Sequence, residues 1–207
     1  MYHAKVRDPG RDTTSSDVVV AGAGPAGCWT ARTLAVLGAR VTIVDGTHPR
    51  EKPCGGGVTG RALALVGDAL DRGALPRCEI HAARFVESSR GRSTRVPLGD
   101  GDLVVASRMD FDSALLSAAV AAGARVVRAR ITEIERDAGG FAVRTTDGSI
   151  HTPVLIGADG ANSLVRRRLA RPFDRADLSI ATGYFVHGVT SDEILIEIVA
   201  EIGRAHV

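Results

Sequence analysis

The stretch Asp17–Asp45 restricts the fold of this 207-residue chain more than any other. It opens with Val18-Val19-Val20-Ala21, a short β-branched run of the kind that forms a strand buried on both faces. Gly22, Gly24 and Gly27 follow at G-x-G-x-x-G spacing, with Pro25 and Ala26 between the last two. The first glycine allows a tight turn, the second lets a pyrophosphate approach the backbone, and the third lets a helix pack close to the strand. Pro25 suits the first helical turn, where its missing N–H does no harm. The helix is expected to run to about Leu37, with Gly38 as its C-cap. Its start offers free N–H groups and the positive dipole end to a diphosphate. Asp45 closes the second strand eighteen residues after Gly27, where an acid can accept hydrogen bonds from a ribose diol. Strand, turn, helix, strand and acid in this order predict a dinucleotide site on a Rossmann-like parallel sheet. The motif alone does not separate NAD from FAD.

The length allows one domain and part of another. With 44% hydrophobic and 24% charged residues the chain is globular. A net charge of +2 gives no support to a nucleic-acid surface, and only 4% aromatics argue against base-stacking platforms, so no nucleic-acid partner is expected. Cys28, Cys54 and Cys78 lack metal-ligand spacing, so no metal site is expected; they read as free thiols of a reducing, cytoplasmic compartment. Cys28 reads as a packing residue. No apolar run is long enough to span a membrane. The first sixteen residues are polar and read as a frayed tail, or equally as an expression or annotation leader.

Thr47–Gly57 is expected to be a loop. Its run Gly55-Gly56-Gly57 is costly to order unless the backbone must approach something closely. Val58 to about Leu70 reads as a helix, and Cys78–Ser107 as antiparallel strands that begin a second, substrate-facing sheet. Asp110 is the expected N-cap of a helix to about Ala122. Arg125–Arg128 reads as another parallel strand. Ile131–Glu135, Phe141–Thr145 and Ser149–Thr152 read as a three-stranded meander, with Asp147-Gly148 as a type I′ turn. Val154–Ile156 is a buried strand leading to Gly157-Ala158-Asp159-Gly160, and Ser163–Leu169 a helix. Leu178–Val186 and Glu193–Val199 read as strands of the second sheet.

These motifs carry a resemblance. The glycine motif with Asp45, Arg108-Met109-Asp110-Phe111-Asp112, and Gly157-Ala158-Asp159-Gly160-Ala161-Asn162-Ser163-Leu164-Val165-Arg166 resemble FAD-dependent oxidoreductases of the aromatic-hydroxylase type, the flavoprotein monooxygenases. Lys52-Pro53-Cys54-Gly55-Gly56-Gly57 and Ser191-Asp192-Glu193-Ile194-Leu195-Ile196 are similar to the geranylgeranyl reductase branch. The resemblance implies an α/β fold: a Rossmann-like sheet for FAD, a β-meander, and part of an antiparallel substrate sheet. Domains are expected at 17–79 with 108–172 for FAD, and at 80–107 with 173–200 for substrate. Asp159 and Gly160 would flank the diphosphate, or form a capped turn into the next helix. Arg108 would reach the flavin, or lie at the surface before a helix. Val127 would line the adenine pocket through its backbone, or sit in the core. Cys54, Gly55 and Gly56 would lie near the flavin ring, with Cys54 as a proton donor or redox partner. NAD(P)H would reduce the flavin transiently.

The family's chains are longer, and a further Gly-Asp motif is expected after the second sheet. The last seven residues, Glu201–Val207, match what a common short-read sequencing adapter encodes, so they read as an artefact of a truncated gene. Such a product is expected to hold FAD weakly and not to turn over. Three functions stay open: a prenyl C=C reductase, a monooxygenase or halogenase of an aromatic or polyketide-like substrate, and a non-catalytic remnant. A prenyl-lipid substrate would favour peripheral contact with a membrane.

Overall fold

A computed structural model describes residues 16–67, 69–71, 73–184, 186, 188 and 190–198. In chain order it contains β1 (Val18–Ala21), α1 (Pro25–Val36), β2 (Val41–Val44), β3 (Gly57–Thr59) and α2 (Gly60–Val66). Then come β4 (Arg77–Glu79), β5 (Ala82–Glu87), β6 (Arg92–Pro97), β7 (Leu103–Ala106) and α3 (Arg108–Ala121). The rest comprises β8 (Arg125–Val127), β9 (Ile131–Asp137), β10 (Gly140–Thr145), β11 (Gly148–Thr152), β12 (Val154–Gly157), α4 (Leu164–Leu169) and β13 (Glu193–Glu197).

These elements form two compact units. Of the described residues, one holds those from Ser16 to Lys52 with Arg108–Ile180; the other holds those of Pro53–Ser107 and of Ala181–Ile198. In the first unit, β12-β1-β2-β8 form one parallel sheet. Every residue of β1 and β2 is buried, as strands covered on both faces require. Val19 and Val44 point toward the meander β9-β10-β11, where Val143 and Ile150 meet them. Residues that alternate with these, Val20 and Ile43, face the other way and are fully buried. Each such side chain contributes roughly 1.5–3 kcal/mol by leaving water. Helices α1 and α3 pack beside each other. The buried positions of α1 are the small residues Gly27, Cys28 and Ala31. Burial pushes the Cys28 thiol up to about 12, and its S–H donates to the Ala23 carbonyl at 3.1 Å, so it packs and does not react.

In the second unit, β3-β7-β4 is an antiparallel sheet, and β13-β5-β6 is a mixed one. β5 pairs antiparallel with β6 but parallel with β13, which differs from the wholly antiparallel sheet expected. The two strands come from distant parts of the chain, so no hairpin dictates their direction.

Local differences have local causes. Gly57–Thr59 is a strand and not the start of a helix, because it pairs with β7; Thr59 then caps α2 by accepting from the Ala62 N–H. Helix α3 begins at Arg108, so Asp110 lies in its first turn, where the helix dipole favours an acid, and not at the cap. The β10–β11 turn is not type I′: among the described residues only glycines have positive φ, here Gly148 at +136°. Leu178–Val186 forms no strand among its described residues, and Ile180 and Tyr184 are more than nine-tenths exposed. Val199 and the segment Glu201–Val207 lie outside the described residues.

Candidate functional site

At the carboxyl ends of β1, β2 and β12, in the first unit, lies a cleft of about 640 Å³. Gly22 and Gly24 line it from one side, Asp159 and Gly160 from another. The two loops nearly touch. A side chain at Gly22 would sit 2.3 Å from the Ala158 carbonyl oxygen, and Gly22 has φ +105°. The Ala158 N–H donates to the Ala21 carbonyl at 2.8 Å, which carries the β1–β12 ladder up to the loops. A side chain at Gly27 would meet the Gly22 carbonyl oxygen at 2.0 Å, so this glycine lets α1 start tight against the turn. Gly24 differs: the nearest atom to a side chain there is His48 Nε2, at 4.0 Å. That position is open to a ligand.

Gly24 is the N-cap of α1, Pro25 begins the helix, and Ala26 is exposed. No side chain caps the helix and no acid stands in its first turn. Its free end suits an anion.

Asp45 follows β2 and lines the cleft. Its Oδ2 accepts from the Ala23 N–H at 2.9 Å; its Oδ1 accepts from the N–H groups of Thr47 at 2.7 Å and His48 at 2.9 Å. Burial alone would raise its pKa, but these backbone donors together outweigh it and hold the carboxyl at about 2. Asp45 thus ties the glycine turn to the loop after β2. A ribose diol would share oxygens these donors already use.

Asp159 is engaged likewise. It accepts from Ser163 Oγ at 2.5 Å and from the N–H groups of Leu164 at 2.6 Å and Val165 at 3.2 Å. Ser163 caps α4 by accepting from the Arg166 N–H at 2.9 Å. Gly160 has φ +82°, which only glycine adopts readily. The loop is therefore both a capped helix start and a wall of the cleft. The Arg166 guanidinium stacks 3.3 Å from the Phe173 ring centroid.

Arg108 pairs with Asp112 one turn along α3, through Nε–Oδ1 at 3.1 Å and Nη2–Oδ2 at 2.9 Å. Asp112 is fully buried. Val127 packs against the core, and its carbonyl accepts from the Asp45 N–H at 3.1 Å; beyond it the cleft wall is Ala129, Arg130 and Ile131. Cys54, Gly55 and Gly56 belong to the second unit. Cys54 and Gly55 are exposed. Gly56 has φ +71°, and a side chain there would strike the Ala106 carbonyl oxygen at 2.3 Å, so β7 demands this glycine.

Sequence reasoning missed three cations and a histidine of the cleft, Arg50, Lys52, Arg130 and His48, while Arg166, Arg167 and Arg168 read as the solvated side of their helix with a phosphate role as the alternative, and Arg167 lines the cleft. All lie in irregular segments or on a short helix, where no periodicity marks them. Burial, reinforced by Arg108 and Arg50, lowers the Lys52 pKa. Against Asp45 and Asp159, these cations leave an excess of positive charge that suits a diphosphate. Open space over Gly24, an uncapped helix start and this charge fit the diphosphate of FAD.

A parallel sheet whose first crossover begins with a glycine turn, closed by a second glycine loop, defines a Rossmann-type dinucleotide-binding domain. The chain belongs to the FAD binding domain family, which matches residues 15–190. It is therefore part of a family of FAD-binding oxidoreductases. It is 36% identical over 159 residues to a geranylgeranyl diphosphate reductase of Rhodobacter capsulatus, covering 74% of this chain and 39% of the relative. It is 34% identical over 172 residues to a menaquinone reductase of Mycolicibacterium smegmatis, covering 78% and 42%. Among solved structures, a geranylgeranyl bacteriochlorophyll reductase-like protein of Thermoplasma acidophilum superposes with a TM-score of 0.58 at 27% identity, over 70% of this chain and 39% of that one. A monooxygenase and a halogenase also match, at 27% and 28% identity. The chain spans about two fifths of the length of the curated relatives it matches, 39% of the geranylgeranyl diphosphate reductase and 42% of the menaquinone reductase. Among the described residues no helix is long and apolar enough to cross a membrane.

Proposed function

We propose that this chain supplies the FAD-holding part of a flavin-dependent reductase that saturates carbon–carbon double bonds of a prenyl-type substrate, with NAD(P)H as the source of electrons. The FAD half rests on one observation: the glycine turn and the Asp159–Gly160 loop line the same cleft. The preference for reduction rests on the likeness to the two reductases. Gly22–Gly27 and the start of α1 hold the diphosphate, and Arg50, Lys52, Arg130 and Arg167 balance its charge. Reduced FAD, when bound, supplies a hydride to the alkene. In this reading the Cys54-Gly55-Gly56 loop serves the flavin ring, and Cys54 donates the proton that completes saturation.

The test uses the whole protein that carries this chain. With FAD, NADPH and geranylgeranyl diphosphate under argon, the reading predicts a reduced prenyl chain. A Cys54→Ala variant with unchanged turnover removes Cys54 from the chemistry. A second reading, oxygenation or halogenation of an aromatic or polyketide-like substrate, is favoured by the rifampicin monooxygenase and tetracycline 7-halogenase relatives. It predicts no anaerobic product and oxygen consumption instead.

A further inference from the structure

His48 lies in the cleft with no task so far. Its side chain is 8% exposed, and neither ring nitrogen makes a hydrogen bond. A buried polar group without a partner is destabilising, so such a group in the wall of a cleft points to a ligand. Nδ1 is 3.0 Å from Asp45 Oδ2, and Nε2 is 3.7 Å from Asp112 Oδ2. The first pair is close enough for Coulomb attraction but off the line a hydrogen bond requires, and the second is too long for one. The backbone holds the ring in place: its N–H donates to Asp45 Oδ1 at 2.9 Å, and its carbonyl accepts from the Arg128 guanidinium. Nε2 is also the nearest atom to the space over Gly24, at 4.0 Å from where a side chain would begin. That is the glycine whose bare backbone admits a pyrophosphate.

We propose that His48 is a diphosphate-binding residue: Nε2 donates a hydrogen bond to a phosphate oxygen of the dinucleotide over Gly24, and the ring takes a proton from solvent as it does so. The proposal rests on the reading of the cleft as an FAD site. The charged groups facing the ring are Asp45 at the end of β2, Asp112 on α3 with Arg108 bound to it, and Arg50 and Lys52 from its own segment. Burial lowers the pKa of His48 most; Asp45 and Asp112 oppose it, and Lys52 and Arg50 add to it. The free protein therefore holds a neutral imidazole near pH 7. A diphosphate adds negative charge beside the ring and offsets Arg50 and Lys52. Both effects favour the imidazolium, and a cationic donor makes the stronger bond to phosphate.

The test is an NMR titration of the wild-type chain, labelled with ¹⁵N in its histidine rings, between pH 5 and 8, alone and with FAD, ADP or riboflavin. FAD and ADP should each raise the His48 pKa by about one unit, and riboflavin, which lacks the diphosphate, should leave it unmoved. FAD should then bind several-fold more tightly at pH 5.5 than at pH 8, with about tenfold as the limit at lower pH. His48→Gln keeps a donor but cannot gain charge, and should lose this pH dependence; His48→Phe should bind more weakly at low pH. FAD binding that leaves the His48 titration unmoved overturns the role of His48 alone, as does a shift with riboflavin but not ADP. A wild-type chain that takes up no FAD at any pH overturns the FAD reading and this role together. If either variant fails to fold, the wild-type titration still decides.

Discussion

Asp45 is a tie before it is a ligand. Three backbone N–H groups converge on its carboxylate, one from the glycine turn and two from the loop after β2, and its side chain is only 12% exposed. Its folded pKa of about 2 lies below the value near 3.8 of an unfolded chain. The stabilisation is therefore complete above about pH 4 and is lost as pH falls through 2. The shift corresponds to about 2 kcal/mol. Asp45→Asn should lower the unfolding free energy in urea by about that amount at pH 7. The deficit should shrink toward pH 2, where the wild-type carboxylate is protonated. A deficit independent of pH would assign the loss to the amide's shape and not to charge. His48 belongs to the same cluster and went unnoticed in sequence, since a histidine between Thr47 and Pro49 carries no pattern.

The elements that form the cleft differ in what their glycines do. Gly27 sets how closely α1 lies on β1; Gly24 leaves space for a ligand. Gly27→Ala must push a carbonyl aside and should cost about 3 kcal/mol, read as a lower melting temperature. Gly24→Ala should cost less than about 1 kcal/mol yet weaken FAD binding at least about tenfold, read by flavin fluorescence. If both variants lose stability alike, Gly24 is a packing glycine and the cleft is not built around it. The β1-α1-β2 unit and the β9-β10-β11 meander were legible because their signals are local: β-branched runs, glycines at fixed spacing, turn residues between alternating strands. β3 was not, because Gly57-Val58-Thr59 becomes a strand only by pairing with β7, more than forty positions on. The parallel pairing of β13 with β5 was hidden for the same reason, since register between distant segments leaves no mark on either. Leu178–Val186 shows the converse: its apolar residues suggest a strand, but no neighbour pairs with it among the described residues. Within the site, Gly22, Gly27 and Gly160 were legible because each meets a steric or φ requirement in one loop. The cations and His48 were not: His48, Arg50 and Lys52 lie in one loop that has no periodicity, and Arg130 and Arg167 join them only in the folded cleft.

At the scale of the molecule, two loops far apart in sequence come together through the β1–β12 pairing, which places Ala21 opposite Gly157. The FAD binding domain family matches residues 15–190, a span that includes both loops. The central claim is that both loops grip one diphosphate. An amide chemical-shift map of the ¹⁵N-labelled chain on titration with FAD tests it most directly. The amides of Gly22–Gly27 and of Ala158–Gly160 should shift together and saturate at the same FAD concentration. Shifts confined to one of the two loops, or saturating at different concentrations, would contradict it.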